Sequence, residues 1–220
     1  MPTNRAHRVL HRGLPRSGKF AVALACMALA GAFGAGAGVA GPSRSCGVQP
    51  TTSQPFSQWG DTNSYFLAPA GDMESSPVAA GWSLSGGASL VDGSESFVAT
   101  GDSTDSYSLG LPDDGSAMTP SICVTIQDPQ LRFFVRNTGD PKAQLTVQAL
   151  SLDANGKGKL VDLGTVKGSS DWTLTNPVLF KSAIKPGADG TGLISFMFSP
   201  KDGKGDWQMD DLYIDPLKSQ

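Results

Sequence analysis

Short segments rich in β-branched and aromatic residues recur along this 220-residue chain, separated by Gly, Pro, Asn and Asp, and helical periodicity is absent. Segments of this kind predict β-strands. The clearest predicted strands are residues 121–126, 131–136, 143–150 and 192–198. Weaker signals predict strands at residues 64–68, 81–84, 95–100, 106–111, 159–166, 172–175, 178–183 and 206–214.

Turn chemistry supports this division. Asn155-Gly156 and Asp202-Gly203 are strong hairpin signals, because such dipeptides accept the positive φ of tight turns. Many short strands at this spacing predict an all-β fold, an antiparallel jelly-roll β-sandwich in a single domain.

Alternation within two predicted strands, 131–136 and 143–150, assigns their faces. One face carries the apolar residues Leu131, Phe133, Val135, Leu145, Val147 and Ala149. The other carries cations, an aromatic ring and amides, namely Arg132, Phe134, Arg136, Gln144 and Gln148. Such a surface is neither a core nor an ordinary charged exterior, so we interpret it as a candidate ligand-binding face.

The first forty residues have a different pattern. Residues 1–19 contain five basic and no acidic residues, residues 20–30 are apolar, and small residues follow to Ala40. That order is typical of a secretory signal peptide, and cleavage after Ala37 or Ala40 fits a small-x-small site. We therefore expect a signal peptide over residues 1–40 and an extracellular protein.

An uncleaved membrane anchor is the alternative for this leader, but its glycines make residues 20–40 a poor spanning helix. The long basic leader suits a Gram-positive bacterium.

Residues 41–60 are rich in Pro, Ser, Thr and Gln and predict an extended N-terminal arm. Residues 61–220 are then the β-sandwich domain.

Loss of the leader removes both histidines of the chain, His7 and His11. Without histidine, Ser-His-Asp and Cys-His catalysis and histidine-ligated metal sites are excluded. Carboxylate chemistry remains, but the pairs 113–114 and 210–211 are adjacent in sequence and would face opposite sides of a strand. We therefore favour a non-catalytic protein.

The leader also carries five of the 17 basic residues, so 12 basic residues face 20 acidic ones in the remainder, a net charge of −8. An acidic domain repels phosphate backbones and anionic lipids. We expect no nucleic-acid partner, and membrane contact only through an uncleaved leader.

Two of the three cysteines, Cys46 and Cys123, remain after the leader. In an oxidising compartment an isolated pair forms a disulfide most simply. The alternative, a reactive thiol, needs a base or cation to lower its pKa, and only Arg44 is close in sequence.

Motifs at the two ends of the domain show a family resemblance. Residues 71–74 read Gly-Asp-Met-Glu, residues 81–82 read Gly-Trp, and residues 205–215 read Gly-Asp-Trp-Gln-Met-Asp-Asp-Leu-Tyr-Ile-Asp. Together they resemble the first and last strands of jelly-roll carbohydrate-binding modules of the galactose-binding-like type. The resemblance covers residues 61–216, with Met73 where the pattern usually has Phe.

The resemblance implies a structural Ca²⁺ held between paired end strands. Its carboxylate ligands would be Glu74 and either Asp210 or Asp211, with Glu95 or Asp92 and backbone carbonyls completing the shell. The alternative is that these acids cap loops at the sheet edge and bind nothing.

The resemblance also implies carbohydrate binding, which needs an aromatic face and planar polar groups. The candidates are Arg132, Phe134, Arg136, Gln144 and Gln148 on the sheet, and Trp59, Trp172 and Tyr107 on loops. Trp82 and Trp207 alternate with apolar neighbours and are predicted in the core.

The sequence therefore predicts a secreted, non-catalytic β-sandwich that recognises a carbohydrate or cell-envelope glycan. A structural or protein-interaction component of the envelope is the second hypothesis. A carboxylate-dependent glycan hydrolase or lyase is the third, since sandwiches host all three functions.

Overall fold

The computed structural model of the chain describes residues 50–127, 129–152, 157–187 and 190–215. The predicted signal peptide, Cys46 and the Asn155-Gly156 turn lie outside these residues and stay predictions. None of the helices in the described part of the chain has the length and apolar character that crossing a membrane requires.

Thirteen strands and three short 3₁₀ turns make up the regular structure of the described residues. The strands are β1 (Phe66–Leu67), β2 (Ser83–Ser85), β3 (Ser89–Asp92), β4 (Tyr107–Leu111), β5 (Ser116–Met118), β6 (Ile122–Thr125), β7 (Gln130–Asn137), β8 (Leu145–Leu152), β9 (Gly158–Val166), β10 (Thr173–Leu174), β11 (Val178–Leu179), β12 (Thr191–Pro200) and β13 (Trp207–Asp215). The 3₁₀ turns are Ser57–Trp59, Lys181–Ala183 and Lys201–Gly203.

Two antiparallel sheets form the predicted sandwich. One sheet has seven strands in the order β10-β7-β13-β4-β3, with β1 beside β13 and β11 beside β7. The other has six strands in the order β2-β5-β12-β8-β9, with β6 beside β12. The first and last strands pair, since Phe66 lies opposite Ile214. The all-β class and the sandwich architecture predicted from the sequence are confirmed.

The core lies between the two sheets. The predicted inward residues of β7 and β8 are buried there, as are Trp82 and Trp207. Aromatic rings join the layers, with Phe133 of one sheet 5.3 Å from Phe198 of the other, measured between ring centroids. The alternation of single strands therefore predicted the inward residues correctly, because the pleat sends every second side chain to the same face.

The sheet to which a strand belongs was harder to predict. The prediction that β7 and β8 share one outer surface was wrong, because β7 lies in the seven-stranded sheet and β8 in the six-stranded sheet. Gln144 and Gln148 therefore lie on the opposite outer surface from Arg132, Phe134 and Arg136. Alternation separates inside from outside, but it does not identify the neighbouring strand.

The Asp202-Gly203 turn is a second correction. Both residues have the positive φ that the dipeptide predicts, 58° and 61°. However, the turn joins β12 to β13, which lie in different sheets, so it does not close a hairpin.

The strand predicted at residues 95–100 was also wrong. Val98 has a positive φ of 57°, and the Glu95 carboxylate accepts hydrogen bonds from the backbone N–H groups of Phe97 and Ala99. These side-chain bonds replace a strand ladder with a loop. Strands β3 and β5 were missed, and the segment 178–183 continues from β11 into a 3₁₀ turn.

A second, smaller apolar cluster lies on the outer face of the seven-stranded sheet and contains Phe56, Tyr65, Phe134 and Tyr213. The Phe56 ring contacts Tyr65 at 5.0 Å and Tyr213 at 5.4 Å between centroids. The described part of the predicted arm thus packs onto this sheet. We call residues 53–65 and 93–100, which lie on this face together, the cover.

Cys123 lies on β6 and is disulfide-bonded. Because Cys46 lies outside the described residues, its pairing with Cys123 stays a prediction.

Candidate functional site

A row of side chains crosses the outer face of the seven-stranded sheet beside the cover. Gln208 on β13 lies opposite both Arg136 on β7 and Gly110 on β4, and Gly110 lies opposite Ser89 on β3. Trp172 immediately precedes β10 and extends the row beyond Arg136. Because strands lie about 4.8 Å apart, these five positions span about 19 Å. We call them the transverse row.

Arg136 is the centre of the polar part of this row. Its guanidinium carbon lies 4.9 Å from the ring centroid of Trp172, and its Nε donates to Oε1 of Gln208. Gly93 allows a close approach, because a Cβ at that position would lie 3.3 Å from Nη2 of Arg136. The aromatic ring and the amide together hold the half-buried guanidinium in one orientation.

Arg132, two residues earlier on the same face, has a different environment. It is 8% exposed, its Nη1 lies 2.7 Å from Oδ2 of Asp61, and its Nε and Nη2 donate to the carbonyl oxygen of Thr175. The Phe56 ring packs 5.1 Å from its guanidinium carbon. All of these contacts are internal, so Arg132 stabilises the cover.

Phe134 is 0% exposed and stacks beneath Phe97 at 5.4 Å between ring centroids. The prediction that Arg132 and Phe134 face a ligand was therefore wrong, because the cover occupies that part of the sheet. Of the ligand-binding residues predicted from the sequence, the structure brings Arg136 and Trp172 together. Gln144 and Gln148 lie on the other sheet, where Gln144 accepts a hydrogen bond from Lys201 at 3.2 Å.

Exposed aromatic rings stand on the cover beside the row. Trp59 is 37% exposed and Phe97 is 40% exposed, and their rings meet edge to face at 5.3 Å. Sequence analysis missed Phe97 because it assigned the residue to a strand. It also missed Gln208, whose alternation with the buried Trp207 and Met209 could have identified it.

A buried acidic cluster lies under the cover. Oδ2 of Asp210 accepts hydrogen bonds from Oγ of Ser94 at 2.9 Å and from the backbone N of Glu95 at 3.0 Å. Burial raises the pKa of Asp210 well above its usual range. These bonds fasten the loop after β3 to the last strand.

Asp211 sits in the bulge of β13, with a positive φ of 51° and 2% exposure. Its Oδ2 has no hydrogen-bond partner within the described part of the chain. Burial, followed by the charges of Asp210 and Glu95, raises the pKa of Asp211. A buried carboxylate oxygen without a donor is costly unless a proton or a cation neutralises it.

Two of the other predicted metal ligands, Glu74 and Asp92, do not join Asp211. Oε1 of Glu74 accepts hydrogen bonds from the backbone N–H groups of Ser106 and Tyr107, each at 2.7 Å, and Asp92 is exposed at the end of β3. Over the described residues, no three His, Cys, Asp or Glu side chains form a group that could hold a metal ion. The donor chemistry of Asp211 fits a hard cation, but the predicted ligand set does not converge.

A cleft of about 760 Å³ opens elsewhere, between β9 of one sheet and β10 and β11 of the other. Its walls carry aliphatic side chains and the polar residues Thr165, Lys167, Ser169, Thr173, Thr175 and Asn176, and no aromatic residue lines it. Without a ring for stacking it is a poorer carbohydrate site than the transverse row.

No family model matches the sequence, and no curated protein does. The fold is similar to that of a xylan-binding CBM22-1 domain of Paenibacillus barcinonensis Xyn10C, with 15% identity over 64% of this chain and 88% of that chain and a TM-score of 0.43. It is also similar to the CBM22-1–GH10 modules of Clostridium thermocellum xylanase 10B complexed with xylohexaose. The identity is 13% over 66% of this chain and 27% of that chain, and the TM-score is 0.48. A third similar structure is TmCBM61 in complex with β-1,4-galactotriose. The identity is 14% over 67% of this chain and 96% of that chain, and the TM-score is 0.38.

Proposed function

We propose that this protein is a non-catalytic carbohydrate-binding module whose ligand lies along the transverse row. The observation that carries the proposal is the group formed by Trp172, Arg136 and Gln208. Sugars are bound by an aromatic ring next to planar hydrogen-bonding groups. Here the half-buried Trp172 ring, which packs on the Arg136 guanidinium, stands beside that guanidinium and the Gln208 amide.

The surroundings of the row support binding without catalysis. None of its five residues is a carboxylate, and Asp210, two residues from Gln208 on β13, is buried under the cover. The exposed rings of Trp59 and Phe97 supply an apolar rim beside the polar row.

The leader pattern supports an extracellular location, with a cell-envelope glycan of a Gram-positive bacterium as the partner. This setting rests on residues 1–40 of the sequence.

The binding site is tested with a polysaccharide and cell-wall panel and two matched glutamine variants. Gln208→Ala removes the amide of the row, and Gln148→Ala removes a half-buried amide from the outer face of the other sheet. We expect a saturable ligand whose affinity falls about 3- to 10-fold in Gln208→Ala and is unchanged in Gln148→Ala. Binding that is lost in Gln148→Ala but retained in Gln208→Ala would place the site on the six-stranded sheet and contradict the proposal.

A protein partner in the envelope is the second candidate function, favoured by the exposed apolar residues of the cover, Trp59, Phe97 and Val98. A photo-crosslinking residue at Val98 in exporting cells tests it, with exposed Val78 as the control position. A discrete protein adduct at position 98 and none at position 78 would support this function.

We also propose that a Ca²⁺ ion neutralises Asp211, with Asp210 beside it. The support is the buried Oδ2 of Asp211, which has no donor among the described residues. Calcium prefers oxygen ligands and tolerates irregular geometry. We expect a chelator to lower the melting temperature of the wild type and to leave that of Asp211→Asn unchanged. Equal melting curves with chelator and with added CaCl₂ would contradict the proposal.

A further inference from the structure

We propose that the ligand is an acidic glycan and that Arg136 pairs with its carboxylate groups. This inference rests on the proposed function and adds the chemical class of the sugar.

The charge of the sheet favours an acidic ligand. Its seven strands contain two basic residues, Arg132 and Arg136, and the sequence has no basic residue between positions 45 and 131. Asp61 neutralises Arg132 through the ion pair described above. Within the described ranges no carboxylate forms an ion pair with Arg136. The half-buried guanidinium therefore lacks a counter-ion on an otherwise acidic sheet.

The geometry of the free Arg136 donors also favours a carboxylate. Arg136 uses its Nε for Gln208, and neither Nη1 nor Nη2 makes a hydrogen bond to another described residue. Four N–H groups in a planar fork therefore remain for a ligand. A carboxylate accepts two parallel hydrogen bonds from such a fork, which the single oxygen of a sugar hydroxyl does not match.

The Arg136 side chain is preorganised for binding. The Trp172 ring and the Gln208 amide hold the guanidinium from two sides, so little side-chain entropy remains to be lost when a ligand binds. The exposed acids Asp171 and Asp206 are close in sequence to the row, but neither pairs with Arg136. Repulsion from more distant acids is screened beyond about 8 Å at physiological salt.

The test uses pairs of ligands that differ in the carboxylate alone. Oligogalacturonates and glucuronoxylan oligosaccharides are titrated calorimetrically into the purified protein, each beside its carboxyl-reduced counterpart. We expect the acidic form to bind about 10- to 100-fold more tightly, the range for a charge-assisted hydrogen bond. In Arg136→Gln the acidic and reduced forms should bind equally, because the ligand change and the protein change remove the same interaction. Lys159→Gln, an exposed change of equal charge on β9, should retain the preference.

The outcomes separate the two proposals. Equal binding of acidic and reduced sugars by the wild type, with both lost in Trp172→Ala, would overturn the acidic class and leave carbohydrate binding intact. A preference that persists in Arg136→Gln would overturn the role of Arg136. Absence of binding to every glycan would overturn both. Because the comparison of ligand pairs on the wild type needs no variant, it remains decisive even if Arg136→Gln fails to fold.

Discussion

At the scale of single residues, two arginines on one face of β7 have different environments. Arg132 is buried against Asp61, Phe56 and the carbonyl of Thr175. Arg136 is half-buried and forms no ion pair with a described residue. The difference comes from the cover, which packs over Arg132 and ends beside Arg136. Arg132 therefore contributes to stability and Arg136 to the proposed binding.

The Asp61–Arg132 pair leads to a prediction about stability. Its side chains are 12% and 10% exposed, so Asp61→Ala leaves a buried cation without its counter-ion. We expect a loss of about 3–5 kcal/mol in the free energy of unfolding. Denaturant titration measures this loss, with the exposed Asp206→Ala as the control, expected within about 0.5 kcal/mol of the wild type. Equal losses in the two variants would contradict the prediction.

The same pair predicts how stability depends on pH. Burial by itself raises the pKa of Asp61, but hydrogen bonds from Tyr65 and Arg132 outweigh it and hold the pKa below 3.8. A carboxyl group whose pKa is lower in the folded state contributes stability that is present above its unfolded pKa and is lost as pH falls through its folded pKa. The free energy of unfolding should therefore fall more steeply below about pH 4 in the wild type than in Asp61→Asn. If the free energy of unfolding depended on pH in the same way in both proteins, the protonation of Asp61 would not be linked to folding.

At the scale of elements, the cover decides which part of the sheet is accessible. It combines a 3₁₀ turn that inserts Phe56 with a loop that Glu95 and Asp210 fasten through hydrogen bonds. Neither part is a strand, so the alternation that identifies strands does not detect it. Outside the cover, Ser89 is exposed and Arg136, Trp172 and Gln208 are half-buried.

The two phenylalanines of the cover should respond differently to truncation. Phe56 is fully buried among four aromatic rings, and its replacement by Ala should cost about 3–5 kcal/mol. Phe97→Ala should cost less than about 1.5 kcal/mol, since a large part of its ring already faces solvent. Thermal unfolding of both variants tests this order. A larger loss of stability in Phe97→Ala than in Phe56→Ala would contradict the prediction.

At the scale of the whole molecule, the chain passes repeatedly from one sheet to the other. The β7–β8 and β12–β13 connections both do so, and Cys123 on β6 carries a disulfide. These crossings bring the first and last strands together, so β1 pairs with β13. The bulge of β13 that holds Asp211 lies in this end-strand region.

The predicted Cys46–Cys123 bridge acts at this scale, because it would close a loop of 77 residues. Loss of the bridge should cost about 4 kcal/mol through the added chain entropy of the unfolded state. Non-reducing peptide mapping of the exported protein should recover a peptide that joins the two cysteines. Denaturant titration with and without reductant measures the stability. A free thiol at Cys46 would contradict the pairing.

The sequence by itself determined the fold class and the inward residues of the long strands, because the pleat has a period of two wherever a strand forms. It also singled out Arg136 and Trp172, which the structure places in contact, since an arginine and an indole stand out on an outer face. The neighbours of each strand, the position of the cover and the separation of Arg132 from Arg136 depended on tertiary structure. These features depend on contacts between residues far apart in the chain, such as Asp61 with Arg132 and Glu95 with Asp210, which local periodicity does not encode.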